Sequence, residues 1–208
     1  MTLTTWSRGL KVNQRSYLKI PRDRVGVLIG PKGKNKRRIE NVFKANLVVD
    51  SESGAVEIIM KPEASDVTAI FTVQNIVKAI GRGFNPRRAE ILAKEDYDLQ
   101  IIDLTDYVGD SKNALARVKG RIIGKDGRSR TLLEELTETQ ISVYGHTVAY
   151  IGSVESLGIA REAIMMLLKG AFHKTVWNFL YAYRRKMKKE RGELWYETPE
   201  PKAELRKK

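Results

Sequence analysis

The chain has 208 residues, with 38 lysines and arginines against 25 aspartates and glutamates, and its formal net charge is +13. This basic excess predicts a polyanionic partner. The sequence contains no cysteine, which excludes disulfides, cysteine-ligated metal sites and thiol chemistry. No apolar run reaches the roughly 18 residues of a membrane span, and the first residues lack the apolar core of a signal peptide. We therefore expect a soluble, cytoplasmic protein with room for two compact domains.

Hydrophobic periodicity in the first half predicts one strand, two helices separated by a glycine-rich loop, two strands and a longer helix. The second of these helices places Ile39, Val42 and Phe43 on one face. A polar turn at Ser51–Gly54 joins the paired strands. In chain order the predicted elements are Ser16–Ile20, Arg22–Ile29, Lys34–Lys44, Leu47–Asp50, Val56–Met60 and a helix containing Val67, Ile70, Val73, Val77 and Ile80.

The second half repeats this order after a linker, in which residues 87–94 have the composition of a short helix. An insertion at Thr105–Ser111 contains a turn at Gly109 and a helix N-cap at Asp110 or Ser111. The repeated elements are Tyr97–Leu104, Lys112–Ile123, a helix with Leu132, Leu133 and Leu136, strands Ile141–Tyr144 and Thr147–Ile151, and a helix with Leu157, Ala160, Ile164 and Leu167. An additional basic helix, Ala171–Lys189, has an apolar face of Val176, Phe179, Leu180, Tyr183 and Met187.

Two loops of the pattern Gly-x-x-Gly occur at equivalent points of the two halves, Gly30–Gly33 and Gly124–Gly127, 94 positions apart. Glycine has no Cβ, so such a loop makes a sharp turn between helices and lets a nucleic-acid backbone approach closely. The helix that follows presents unpaired N–H groups and its positive dipole end to phosphate. This loop, within a repeated strand-helix-helix-strand-strand-helix order, is typical of KH domains, which bind about four nucleotides of single strand.

The similarity to tandem KH proteins implies an α+β fold of two type I KH domains, each with a three-stranded antiparallel sheet backed by helices, plus a C-terminal helix. The implied divisions are 13–83 for the first KH domain, 84–96 for a linker with a short helix, 97–170 for the second KH domain, 171–192 for the basic helix and 193–208 for a disordered tail. Because the linker contains Ile91 and Leu92, we expect it to pack between the domains and make a semi-rigid tandem that binds one continuous strand.

Basic residues concentrate around both loops. Gly30–Arg38 contains five basic residues and no acid, and Arg117–Arg130 contains six against the single acid Asp126. Helix faces that are merely solvated usually mix both signs, so these clusters favour a phosphate-binding surface. The candidate RNA-binding residues are Gly30, Pro31, Lys32, Gly33, Lys34, Lys36, Arg37, Arg117, Lys119, Arg121, Gly124, Lys125, Asp126, Gly127, Arg128 and Arg130.

The sequence does not support an enzyme, a cofactor or a metal site. A P-loop nucleotide site needs G-x-x-x-x-G-K-[ST], and Gly33-Lys34 and Gly124-Lys125 lack both the first glycine and the hydroxyl residue. The two histidines, His146 in a turn and His173 near a helix start, have no carboxylates at a spacing typical of a metal site or a catalytic triad.

Longer stretches resemble one family of ribosome-assembly KH proteins, called Partner of Nob One. The resemblance rests on Arg117–Gly127 with residues 131–139, on the region from Gly83-Phe84 to Asp106, and on the ending from Gly152-Ser153 to Val176-Trp177. The intact first loop is similar to the archaeal branch. The resemblance implies binding to the 3′ end of small-subunit rRNA or its precursor. It also implies two protein partners, the endonuclease that trims this end and the alpha subunit of translation initiation factor two.

One residue departs from the family pattern. Asp126 stands where many members have glycine or another non-acidic residue, and an acid facing phosphate weakens binding unless Lys125 and Arg128 compensate. A second interpretation also remains open. In it the chain is a protein-interaction scaffold in ribosome assembly or translation initiation, which uses its C-terminal helix and sheet edges and contacts RNA only weakly.

Overall fold

The structure is a computed structural model that describes residues 14–62 and 68–194, with side chains described as far as residue 189. The first unit consists of β1 (Arg15–Lys19), α1 (Arg22–Ile29), α2 (Lys34–Phe43), β2 (Ala45–Val49), β3 (Ala55–Met60) and α3 (Ala69–Gly81). Its three strands form an antiparallel sheet in the order β1-β3-β2. The order of elements expected for this half is confirmed, and Val67 lies outside the described residues.

The core of the first unit lies between the sheet and its helices. Alternation along β3 turns Val56, Ile58 and Met60 toward this core, where they meet the buried face of α3. The expected apolar face of α2 is narrower than the sequence pattern suggests. Ile39 is buried, but Val42 is 62% exposed, because Val42 lies about 100° around the helix from the half-buried Phe43.

The linker after α3 is folded rather than extended. Asn85 begins α4 (Pro86–Ala89), and its side chain accepts a hydrogen bond from the backbone N–H of Arg87 at 3.0 Å. Proline fits the first helical position, since the N–H it lacks would have had no partner there. A short 3-10 turn at Glu90–Ala93 follows and buries Leu92 in the core of the first unit.

The second unit repeats the first with one added turn. It consists of β4 (Tyr97–Asp103), the single turn α5 (Thr105–Val108), α6 (Lys112–Ile123), α7 (Arg128–Thr137), β5 (Gln140–Tyr144), β6 (Thr147–Ser153) and α8 (Val154–Leu168). Its sheet has the corresponding order β4-β6-β5. Of the two candidate N-caps, the structure selects Ser111, whose hydroxyl accepts a hydrogen bond from the Ala114 N–H at 3.4 Å.

A long helix, α9 (His173–Leu194), completes the core of the second unit. Val176 and Leu180 are fully buried against this core, and Phe179 and Tyr183 pack beside them. The apolar face predicted for an additional helix therefore packs on the KH fold, against α7 and α8. The residues after Leu194 lie outside the described part of the chain.

The two units share a packed interface. The outer face of the second sheet, which carries Ala149 and Ile151, joins the core of the first unit beside Phe84 and Leu92. As a result β6 is buried on both faces from Thr147 to Gly152.

Polar contacts cross the same boundary. The Ser142 hydroxyl donates to the Arg82 carbonyl oxygen at 2.9 Å. The Tyr144 hydroxyl donates to the Asp23 carboxylate, and this hydrogen bond raises the pKa of Tyr144. The Arg24 guanidinium lies 5.7 Å from the centre of the same ring. These contacts hold the edge strand β5 against α1.

Candidate nucleic-acid interface

Each Gly-x-x-Gly segment forms a short 3-10 turn between two helices, Pro31–Gly33 after α1 and Lys125–Gly127 after α6. The first glycine of each loop has no room for a side chain. A Cβ on Gly30 would lie 2.4 Å from Nδ2 of Asn35, and one on Gly124 would lie 2.5 Å from Cβ of Ser129. The glycines therefore let the loop pack onto the start of the next helix, which brings the helix N-terminus to the surface.

The second interior position of each loop has a left-handed backbone, with φ of 51° at Lys32 and 55° at Asp126. The loops thus pair Lys32 with Asp126, and Pro31 with Lys125. Aspartate is among the few residues that tolerate this conformation, which gives a backbone reason for the acid in the second loop. Lys32 and Asp126 are both exposed.

Side chains of the following helix brace each loop from behind. In the first loop, Asn35 donates to the Val27 carbonyl oxygen at 2.8 Å, and Arg37 donates to the carbonyl oxygens of Lys32 and Gly33. In the second loop, the Thr131 hydroxyl donates to the Gly127 carbonyl oxygen at 3.2 Å. The carbonyl oxygens of Lys32, Gly33 and Gly127 are thereby occupied, which leaves Lys32 exposed at the first loop and Lys125 beside the acid Asp126 at the second.

Four of the candidate cations lie at the two loops and are free to bind phosphate. Lys32 and Lys34 at the first loop, and Lys125 and Arg128 at the second, are exposed and form no ion pair among the described residues. Lys34 and Arg128 begin α2 and α7, where the helix dipole also attracts anions.

Other candidates are engaged within the protein. Arg121 donates to the carbonyl oxygens of Leu167, at 3.3 Å, and Ala171, which end α8 and precede α9. Lys119 donates to the Gly145 carbonyl oxygen at 3.1 Å. These two side chains hold α6 in place.

The remaining candidates occupy three kinds of position. Lys36 lies 3.9 Å from the Glu40 carboxylate, one turn along α2. Arg117 is exposed on α6, more than one turn before the loop. Arg130 is half-buried, and its Nε has no hydrogen-bond partner among the described residues.

A groove lies behind each loop. In the first unit it lies between α2 and the segment that follows α3, and in the second unit between α7 and the start of α9. The first groove has a volume of about 410 Å³ and is lined by Pro31, Lys34, Asn35, Arg38, Pro86 and Glu90, among others. The second groove has a volume of about 300 Å³ and is lined by Gly124, Lys125, Arg128, Ser129, Leu132, His173 and Trp177. Arg38, His173 and Trp177 are not among the candidate residues that the sequence indicates. An alignment of the two halves at both ends of the repeat pairs Arg38 with Leu132, Pro86 with His173 and Glu90 with Trp177, and would have indicated them.

Within the described residues, no group of three histidines, aspartates or glutamates is arranged to hold a metal ion. The described helices include none that is long and apolar enough to span a membrane.

Comparisons with known proteins agree with the geometry. The family model described as the eukaryotic type KH domain (KH-domain type I) matches residues 98–185, and the KH domain model matches residues 15–69. The KH domain-containing protein MJ0443 of Methanocaldococcus jannaschii is 48% identical over 178 residues, which are 86% of this chain and 78% of that protein. The pre-rRNA-processing protein PNO1 of Chaetomium thermophilum is 35% identical over 118 residues.

The chain belongs to the PNO1 family. The match to the Chaetomium thermophilum family member covers 55% of this chain and 45% of that longer protein. The crystal structure of the a/eIF2alpha–aDim2p–rRNA complex from Pyrococcus horikoshii OT3 contains a chain that is 44% identical to this one. That match covers 84% of this chain and 96% of the other, with a TM-score of 0.80.

Proposed function

We propose that this PNO1-family chain binds single-stranded RNA along both Gly-x-x-Gly loops, and that its target is the 3′ region of small-subunit rRNA or its precursor. The observation that carries the proposal is the pair of loops with exposed cations at helix N-termini that form no ion pair with the part of the chain that the structure describes. The target is supported by relatives named as pre-rRNA-processing proteins and by the similar Pyrococcus horikoshii chain in a complex with rRNA.

The candidate residues take different roles in this proposal. Gly30 and Gly124 bring the RNA backbone close to the helix starts, where Lys34 and Arg128 bind phosphate. Lys32 and Lys125 add mobile cations at the loop tips. Further residues around the two loops are proposed to contact the same RNA strand: Gly33, Gly127, Pro31, Lys36, Arg37, Arg117 and Arg130.

Among the candidate residues, Arg121, Lys119 and Asp126 are the least suited to bind phosphate. The first two act by positioning α6, through the carbonyl oxygens they already bind. Asp126 gives the second loop its left-handed residue and lowers its positive charge. We therefore expect the first loop to bind phosphate more strongly per nucleotide than the second.

The tandem arrangement supports a longer target than one unit can hold. One KH domain binds about four nucleotides, and its affinity alone is low. Because the second sheet packs on the first unit, both loops are held at one separation, and the second contact forms within an already bound complex.

The proposed protein partners are the alpha subunit of translation initiation factor two and the endonuclease that trims the rRNA 3′ end. The first is supported by a/eIF2alpha in the Pyrococcus horikoshii complex. The chain would act as a cytoplasmic, non-catalytic binding protein. The scaffold alternative is favoured by one observation, the solvent-facing side of the first sheet, where Tyr17 is 70% and Val48 is 54% exposed.

A titration with RNA separates binding protein from scaffold. Fluorescence anisotropy of a labelled single strand from the small-subunit rRNA 3′ end should give tight binding, with a scrambled strand of equal length as the control. Phosphate contacts release counterions, so the affinity should fall steeply as salt rises. An affinity that stays flat from low to moderate salt would contradict the proposal and favour the scaffold.

A further inference from the structure

The two grooves behind the loops are equivalent positions of the repeat. The loop and second helix recur at a spacing of 94 residues, which pairs Lys34 with Arg128, Asn35 with Ser129 and Arg38 with Leu132. The segments after the third helices recur at 87. This spacing follows from their backbone hydrogen bonds. The N–H groups of Gly83 and Phe84 donate to the carbonyl oxygens of Ile80 and Ala79, as those of Gly170 and Ala171 donate to the carbonyl oxygens of Leu167 and Met166. Glu90 is thus paired with Trp177.

The first groove is closed by its own polar residues. Nη2 of Arg38 lies 2.7 Å from Oε2 of Glu90, so an ion pair joins the two walls. Asn35 reaches across the base of the groove to the Val27 carbonyl oxygen at 2.8 Å. The walls of the first groove are therefore joined by side chains of the protein itself, while Lys34 in its lining stays exposed.

The second groove has different residues at the positions that correspond to Arg38, Glu90 and Asn35. Leu132 and Trp177 stand where the first groove has its ion pair, and both are only partly buried. Ser129 stands in place of Asn35, is 7% exposed, and its hydroxyl has no hydrogen-bond partner among the described residues. His173 donates to the Arg121 carbonyl oxygen at 2.8 Å and lies with its ring 5.9 Å from that of Trp177.

The second groove combines a positively charged rim with an apolar interior. Lys125 and Arg128 line the mouth of the second groove, and none of its lining residues is acidic. The groove thus combines a flat indole, a buried hydroxyl without a partner and two exposed cations. This is the chemistry of an unpaired nucleotide, which offers a ring to stack, polar edges to hydrogen-bond and a phosphate to pair.

We propose that the second groove is a nucleobase site, in which one unpaired base of the bound RNA stacks on Trp177, bonds to the Ser129 hydroxyl and places its phosphate between Lys125 and Arg128. This inference rests on the proposed RNA-binding function. It makes the second loop a two-sided site, with one base held behind the loop on the side of α9. Stacking on an indole accepts any base, so the site adds affinity more than sequence preference.

The intrinsic fluorescence of Trp177 provides the direct test. The chain has two other tryptophans, Trp6 and Trp195, both outside the described residues. In the full chain carrying Trp6→Phe and Trp195→Phe, a single strand from the small-subunit rRNA 3′ end should quench the Trp177 emission, with the same midpoint as the anisotropy titration. Emission that is unchanged at saturating RNA would overturn the proposal.

Affinity measurements on matched variants give an independent test. Trp177→Leu keeps an apolar packing group but removes stacking, and should weaken RNA binding about tenfold. Trp177→Phe keeps a flat ring and should bind nearly as tightly as the natural chain. The pair Leu132→Arg with Trp177→Glu installs the ion pair of the first groove, and should weaken binding at least as much as Trp177→Leu.

The outcomes separate this inference from the proposed function. Each variant is compared at an unchanged thermal midpoint, and Lys125→Asp serves as the reference for a disabled loop. If Lys125→Asp loses affinity while all groove variants bind like the natural chain, the base site is wrong and the RNA-binding function stands. If the natural chain does not bind the RNA strand at all, both the proposed function and the base site are wrong.

Discussion

The outer face of the first sheet meets solvent, whereas the corresponding face of the second sheet packs against the first unit. Tyr17 and Val48 are exposed on the first sheet, but Ala149 and Ile151 on the second are completely covered. Close packing on the second sheet depends on small groups at the contact, such as Gly83 beside Ser142. The same fold can therefore use its sheet as a packing face or leave it open to solvent, while the helical side with the Gly-x-x-Gly loop stays accessible in both units.

The two grooves behind the loops also differ in whether the protein itself closes them. The first groove is joined by an ion pair between Arg38 and Glu90, and the second is an open cleft beside Trp177. The backbone is shared even at its left-handed residues, since Lys44 and Glu138 end α2 and α7 with φ of 52° and 55°. The two units therefore differ in side chains that are placed on an equivalent backbone.

The largest effect is expected from reversing charge at the loop tips. Lys32→Asp or Lys125→Asp should each weaken RNA binding by about tenfold or more, because each repels the phosphate backbone without touching the core. The double variant should lose about a hundredfold, or roughly 2.8 kcal/mol. Anisotropy titrations at fixed salt measure this. If only one of the two substitutions matters, RNA binding belongs to that unit alone.

A charge-matched control for this series is Lys19→Asp. Lys19 is exposed on β1, one of the two edge strands of the first sheet. This substitution changes the net charge equally but should alter affinity little, so a comparable loss would mean that only the total charge matters.

A smaller effect, on stability rather than binding, is expected at the boundary between the units. Gly83 has φ of 96°, and an added Cβ would lie 2.7 Å from Oγ of Ser142 and 2.9 Å from Cβ of Tyr144. Gly83→Ala should therefore lower the free energy of unfolding by about 2–4 kcal/mol, since it adds a clash to backbone strain. Gly109→Ala is the matched control, with φ of 67° and open space around it. Equal losses in denaturant unfolding would mean that the interface contributes nothing.

A pair of equivalent glutamates should show a finer difference. Glu40 accepts a hydrogen bond from the Leu47 N–H at 2.9 Å, and Glu134 accepts one from the Ile141 N–H at 2.7 Å. Replacing either with alanine leaves a buried strand N–H without its partner and should cost about 1–3 kcal/mol. Each glutamate also has an ion-pair partner. That of Glu40 is Lys36, 3.9 Å away on its own helix, whereas that of Glu134 is Arg88 of the linker, 3.4 Å away across the boundary between the units. Glu134→Ala should therefore cost slightly more, by less than about 1 kcal/mol, and the reverse order would contradict a cohesive interface.

The smallest effect is confined to alkaline pH and to the second unit. Burial raises the pKa of Tyr150 to about 12, and its hydroxyl donates to Oε1 of Gln100 at 2.7 Å. The first unit has Ile58 at the equivalent buried position. Because the neutral form is favoured in the fold, the contribution of Tyr150 is complete below its ordinary pKa near 10 and is lost as the pH rises through 12.

Denaturant unfolding from about pH 9 to about pH 12 checks this titration. In Tyr150→Phe, the free energy of unfolding should decline less over this range than in the natural chain. The exposed Tyr107 provides the control substitution, Tyr107→Phe. If both variants follow the natural chain, Tyr150 is not the group that titrates.

The order of elements, the positions of both loops and the family can be predicted from the amino-acid sequence, because these depend on local patterns. Helix and strand periodicities are set within about a dozen residues, and the loops are identified by their paired glycines. Arg22–Ile29 and Lys112–Ile123, for example, have the bounds that the sequence predicts. The KH fold and the PNO1 relationship are confirmed on this basis.

Which surfaces and which cations remain accessible depends on tertiary packing. Arg121 lies in the basic cluster around the second loop, yet it binds carbonyl oxygens 46 and 50 positions away. Tyr144 meets a carboxylate 121 positions away. Trp177 reaches the second loop only because α9 folds back on α7. Sequence patterns carry no record of such distant partners, since burial and pairing between segments depend on how whole layers pack.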